Sequence, residues 1–189
     1  MTAEQIQQAS IGEWQSIAPE VRPGAQKNPD GTIKPFYLAR QFKYEATGIF
    51  ELVVTSFADP YGKVGLMKMT IRGHITWQGP HPIAEGAQKV DFTADEVYTV
   101  TPLVQGSADV LNQFTQGFEK WEPGREQSIL GKVFPPFGLA EGQLFKEYDL
   151  MYIYDDLMFW GARNVDGRGF DTEANRPSNL QIPMVRAGR

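Results

Sequence analysis

Arg40 stands out among the residues able to do chemistry, because it alternates with Phe36, Leu38, Phe42 and Tyr44 on the apolar face of the stretch Phe36 to Tyr44. A guanidinium in that setting needs a partner, since an unpaired buried charge is costly. Its planar fork suits a protein carboxylate and an anionic ligand equally. Glu20 and Asp59 are the candidate internal partners. Glu96 falls among Phe92, Ala94 and Tyr98, where desolvation would raise its pKa and fit it for proton transfer. An ion pair with Arg40 inside the fold is the structural alternative for Glu96; breaking it from one side should then cost more than removing both partners. Tyr44 and Tyr98 could carry a proton beside either group. His74 and His81 flank Gly79-Pro80, and histidine is the side chain suited to moving protons near neutral pH. His74 therefore joins Glu96 and Tyr98 as a catalytic candidate, although it shares its face with Arg72 and Thr76, and plain solvation explains it as well.

A metal centre is not expected, because the chain has no cysteine and 2 histidines, without His-x-x-x-His spacing. There is no Gly-x-Ser-x-Gly elbow, phosphate-binding glycine loop or dinucleotide fingerprint, so no cofactor is expected either.

Strands must position these residues. Phe36 to Tyr44 alternates with the period of two of a half-buried strand, Val90 to Thr101 alternates less cleanly but is rich in β-branched and aromatic residues, and Ile49 to Phe57 is richer in apolar residues on both faces. Leu66 to Trp77 places Met67, Met69, Ile71, Gly73, Ile75 and Trp77 opposite Lys68, Thr70, Arg72, His74 and Thr76. Asp149 to Ala162 reads as a hairpin turning at Asp155-Asp156. Thr2 could cap a short helix through Gln8, and Ser107 another from Ala108 to Phe114. The expected fold is all-β: one antiparallel β-barrel of about eight to ten strands with one or two short helices. Residues 1–9 form a helix or tail, and 163–189 an irregular C-terminal segment. Such a barrel can hold one small ligand, and Arg40, Phe42, Tyr44, Met67, Met69, Trp77 and Tyr98 are the expected contacts. The aromatic run Tyr148, Tyr152, Tyr154, Phe159 and Trp160 fits an inner wall or an interaction surface.

The 189 residues carry 23 acidic and 18 basic side chains, a formal charge of −5, without a basic stripe. That argues against nucleic acid and leaves small molecules or protein surfaces as partners. No apolar window is long enough to span a membrane, and without cysteine no disulfide can form. The start, MTAEQIQQAS, has no basic and apolar leader pattern, so a cytoplasmic location is expected. Nothing in the sequence sets the oligomeric state.

Four blocks follow one another in a recognisable order: IGEWQSIAPEVRPG (Ile11 to Gly24), FYLARQFKY (Phe36 to Tyr44), SFADPYGKVGLMKMTIRGHI (Ser56 to Ile75), and MFWGARNVDG with RPSNLQIPMV. Together they resemble one repeat of the Wnt-antagonist family called adenomatosis polyposis coli down-regulated. The matching positions are Trp14, Glu20 to Gly24, Arg40, Ala58-Asp59-Pro60 and Ile71-Arg72-Gly73; Phe114 to Glu147 is not placed by the likeness. The resemblance implies a calycin/lipocalin-like barrel with an apolar ligand, and Arg40 matches an arginine of the family block. Gly12-x-Trp14 resembles the signature opening calycin barrels, whose tryptophan plugs the closed end. The family's paired cysteines are missing, as are its membrane anchor and second repeat, so Wnt antagonism is not expected.

Three functions follow as expectations. The first is binding of a fatty-acid-like or polyketide-like molecule, its anionic head on Arg40. The second is a cofactor-independent isomerase, cyclase or lyase acting on a similar substrate in a biosynthetic setting. The third is an interaction module with a filled barrel.

Overall fold

Thr2 caps the first helix, α1 (Ala3–Ser10), through a capping box: its hydroxyl accepts from the Gln5 backbone, and the Gln5 side chain accepts from the Thr2 backbone N–H. The computed structural model, which describes residues 2–163 and 168–188, continues into ten strands. These are β1 (Gly12–Ser16), β2 (Glu20–Lys27), β3 (Ile33–Tyr44), β4 (Ile49–Phe57), β5 (Gly65–Pro80), β6 (Gln88–Pro102), β7 (Gln127–Ser128), β8 (Phe145–Tyr154), β9 (Leu157–Trp160) and β10 (Met184–Arg186). A second helix, α2 (Gln105–Phe114), follows β6. Strand neighbours run β1-β10-β9-β8-β6-β5-β4-β3, and β3 pairs back onto β1, so eight antiparallel strands close into a ring. The all-β barrel with two short helices is thus present. Closure leaves the ring without a free edge.

Two details depart from the sequence reading. The tail expected to be irregular contains β10, which completes the ring between β1 and β9. Helix α2 starts before Ser107, at Gln105, because the chain turns directly out of β6 and Val104 takes the cap position without a side-chain bond. The Asn164 to Gly167 portion of the MFWGARNVDG block lies outside the described residues.

Two interruptions shape the barrel wall. β1 and β2 lie end to end along β3, pairing Gln15 with Gln41 and Glu20 with Leu38, so the Ser16–Glu20 passage breaks the wall opposite Arg40. Between β5 and β6, Arg72 pairs with Val97 but His74 with Thr93, which leaves Ala94, Asp95 and Glu96 opposite Gly73 alone. A bulge of this kind bends the strand and re-aims its side chains. Gly73 is required there, since a methyl group would sit on the Thr93 carbonyl oxygen and against the Asp95 backbone.

Trp14 is fully buried. Its indole N–H donates to the Ser10 carbonyl at 2.8 Å, and the Arg186 guanidinium lies 4.1 Å from the ring centroid. Arg186 also donates to the carbonyls of Ile11 and Ala9, both at 2.7 Å, which ties β10 to the end of α1. The segment between β6 and β8 builds a smaller core around Trp121, Phe118 and Phe134. Its β7 pairs with Thr99 and Val100, where β8 no longer reaches, and Phe137 stacks on Tyr98 at 6.1 Å. After β9 the chain crosses the outer face of β6 and β8. There Arg176 donates to the carbonyls of Val90 (2.9 Å) and Asp149 (2.6 Å) and to the Asp91 carboxylate (2.6 Å).

Candidate functional site

The inner face of β3 carries Leu38, Arg40, Phe42 and Tyr44, as its alternation requires. Phe42 and Tyr44 are spent on packing. Phe42 lies 4.2 Å from Trp160 and 5.5 Å from Tyr44, Trp160 stacks on Phe92 at 4.6 Å, and Phe50 meets Phe92 edge-on at 5.0 Å. With 2 % and 3 % of their surfaces exposed, Phe42 and Tyr44 belong to an aromatic floor rather than to a free wall. Trp160 is therefore the inward member of the aromatic run. Tyr152, Tyr154 and Phe159 cluster with one another instead, and Tyr154 is 59 % exposed. Met67 and Met69 continue the inner face of β5 beside Ser56 and Val54 and are half-buried; Trp77, near the far end of that strand, is half-buried against the core.

Arg40 sits over this floor, 5.4 Å from the Trp160 ring and 5.8 Å from Phe42. Its Nε donates to Glu20 at 2.9 Å, the first of the two internal partners expected from the sequence. Glu20 also pairs with Arg22 and accepts from the Ser16 hydroxyl, which in turn accepts from the Arg40 backbone N–H. Burial works to raise the Glu20 pKa, but the charges of Arg40 and Arg22, with the hydrogen bonds, outweigh it and hold the carboxyl below its usual range. The break between β1 and β2 supplies the room for this cluster. Among the described residues, one guanidinium nitrogen, Arg40 Nη2, is buried without a partner, as are the Tyr44 hydroxyl and the Trp160 indole N–H.

Two acids face the same interior from β8. Glu147 pairs across the ladder with Phe92, and Asp149 with Val90. Glu147 is enclosed by protein yet keeps part of its surface accessible. Burial raises its pKa, against the pull of Arg40, Arg163 and Arg22. Asp149 is 2 % exposed and accepts from the backbone N–H groups of Leu150 (2.7 Å) and Gly161 (2.9 Å). Burial first, and the Glu147 charge second, push its pKa up to about 7. Burial likewise raises the Tyr44 and Tyr98 hydroxyls, the former well above its ordinary value.

The three residues expected to be catalytic do not converge. Tyr98 points inward beside Ile71 and is buried, whereas Glu96 and His74 lie on the outer face. The bulge is the reason, because Glu96 belongs to the looped-out residues and turns to Arg72 at 2.7 Å rather than to Arg40. His74 meets Asp95 at 2.9 Å; that hydrogen bond and charge raise its pKa and make it part of a surface ion network with Arg72, Glu45 and Glu96. Among the described residues no group of three or more acids and histidines is arranged to hold a metal.

Glu147 and Asp149 were not singled out by their sequence. Their alternation with Phe145, Met151 and Ile153 was the available signal, masked by the aromatic residues on the opposite parity. The raised value of Asp149 carries a testable consequence. Because its folded-state pKa exceeds the ordinary 3.8, the native protein holds this proton longer than the unfolded chain; the associated stability is complete below about pH 4 and is lost as pH rises through about 7. Between pH 5 and 9 the loss should approach about 2–3 kcal/mol at 1.36 kcal/mol per pKa unit. Asp149→Asn, which can still accept from Leu150 and Gly161, should flatten that slope in urea denaturation; an equal slope in both proteins would refute the assignment.

No protein-family model matches this chain, and no curated protein does.

Proposed function

We propose that the protein binds a small, largely apolar molecule inside its barrel, with an anionic head directed at Arg40. The observation that carries this reading is Arg40 Nη2, buried and unpartnered among the described residues while the same guanidinium pairs with Glu20 through Nε. An anion there would satisfy a donor whose burial alone is costly. The Tyr44 hydroxyl and the Trp160 indole N–H are further unused donors in the same interior. Half-buried Leu38, Met67, Met69 and Phe145 supply apolar surface, and thioether chains adapt to irregular ligands. The likeness to a family of lipid-binding barrels points the same way. A second reading, a cofactor-independent enzyme acting in the same interior, is favoured by Glu147 and Asp149, which face it.

The test begins with native mass spectrometry of the purified protein and identification of what denaturation releases. Dodecanoate and dodecanol are then titrated calorimetrically into the wild type and Arg40→Gln, in which Glu20 keeps Arg22 as partner. Dodecanoate should bind the wild type more tightly, and Arg40→Gln should lose about tenfold or more for the acid alone, the scale of one hydrogen bond to a charged group. Equal binding of acid and alcohol would overturn the anionic head, and binding of neither would overturn the cavity.

A further inference from the structure

We propose that Glu147 is the catalytic base of this interior, shifting a proton between carbons of an apolar carbonyl compound whose oxygen is held by Arg40 and Tyr44. The inference rests on the binding reading above and gives the anionic head an identity, the enolate formed during reaction. Among the described residues three acids face the barrel interior, and two are committed. Glu20 uses both oxygens on Arg40, Arg22 and Ser16, and Asp149 accepts two backbone N–H groups. The Glu147 carboxyl makes no hydrogen bond or ion pair among the described residues and remains partly accessible, although protein surrounds it. It is placed on the inner face by its register with Phe92.

What faces it is a set of donors. Among the described residues Arg40 Nη2 and the Tyr44 hydroxyl are buried and unpartnered; Arg40 lies over the Phe42 and Trp160 rings, Tyr44 stacks on Phe42, and Glu147 pairs in register with Phe92, which stacks on Trp160. Donors fixed in a dry site, aimed at an oxygen that becomes negative, are what an enolate requires. The aromatic floor of Phe42, Phe92 and Trp160 underlies all three groups. Burial strengthens Glu147 as a base, because its raised pKa brings it closer to the carbon acid.

The chemistry balances without a co-reactant. Glu147 takes a proton from the carbon next to the carbonyl; the C–H electron pair forms a carbon–carbon double bond, and the carbonyl π pair moves to oxygen. Protonated Glu147 then returns the proton to the γ-carbon as the carbonyl re-forms, which converts a β,γ-unsaturated ketone to its conjugated isomer.

The probe is undec-4-en-2-one in D2O, followed by NMR for conjugation and for deuterium at the α- and γ-carbons, with binding of the same ketone measured separately by native mass spectrometry. The wild type should bind and convert it. Glu147→Gln should bind comparably and lose about 100-fold or more in rate, the usual contribution of a positioned base. Tyr44→Phe, which keeps the packed ring, should lose about tenfold or more. A wild type that binds the ketone without exchange above buffer overturns the catalytic assignment and leaves the binding reading standing. A Glu147→Gln protein as fast as the wild type overturns the role of Glu147. Should that variant fail to fold, an unchanged rate in Tyr44→Phe overturns the proposal. A wild type that binds neither ketone nor dodecanoate overturns both readings.

Discussion

Glu20→Ala is expected to destabilise the barrel by about 3–5 kcal/mol, the cost of leaving a buried ion pair with one side removed. Glu20 sits between two guanidinium groups, with side-chain exposures of 10 % for Glu20, 10 % for Arg40 and 15 % for Arg22. Without the carboxylate, two like charges face each other in a poorly hydrated wall. Replacing Arg40 by methionine in the same protein should recover part of the loss, because one uncompensated charge disappears and an apolar chain fills its place. A double-mutant cycle by urea denaturation should therefore give a coupling of about 1–3 kcal/mol. Strict additivity of the two changes would show that the pair contributes nothing beyond its separate side chains.

Trp14→Ala should cost a similar amount, about 3–5 kcal/mol for a fully buried tryptophan. The loss combines a cavity in the core with the fate of two neighbours. The Ser10 carbonyl loses its indole donor, and Arg186 loses the ring on which it lies. Helix α1 is held to the barrel by these same contacts, so limited proteolysis should cut within residues 3–10 of the variant well before the wild type is touched. Trp14→Phe should restore part of the stability but not the Ser10 hydrogen bond. Resistance of the α1 segment in Trp14→Ala would mean that Ile6, also fully buried, anchors the helix on its own.

Most of the barrel was legible because alternation is a local property. The strand beginning at Ile49 and ending at Phe57 has the bounds its sequence suggested, and the turn at Asp155-Asp156 joins β8 to β9. Arg40 and its Glu20 partner were legible for the same reason, since an odd charge on an apolar face announces itself. Glu96 was misplaced because alternation counts residues, and a bulge adds residues without marking them; only the opposing Gly73 hints at it. On β8 the problem was reversed. Tyr148, Tyr152 and Tyr154 look like a core face, yet they flank the outer side while the acids turn inward. β10 could not be seen at all, because three residues carry no periodicity and their pairing with β1 depends on partners some 170 positions away.

That last pairing sets an order on how the molecule is made. The β3–β4–β5–β6 meander consists of neighbours in sequence and can form as soon as those residues exist, but the ring stays open until residues 184–186 have been synthesised and lie between β1 and β9. Contacts of such long sequence separation form slowly, because loop closure must precede the reward of pairing. During that interval β1 and β9 present unpaired edges with the aromatic floor beside them, a surface prone to joining other nascent chains. Arg186 brings the late strand into register by reaching the carbonyls of Ala9 and Ile11, so the first helix serves as the dock on which synthesis of the barrel is completed.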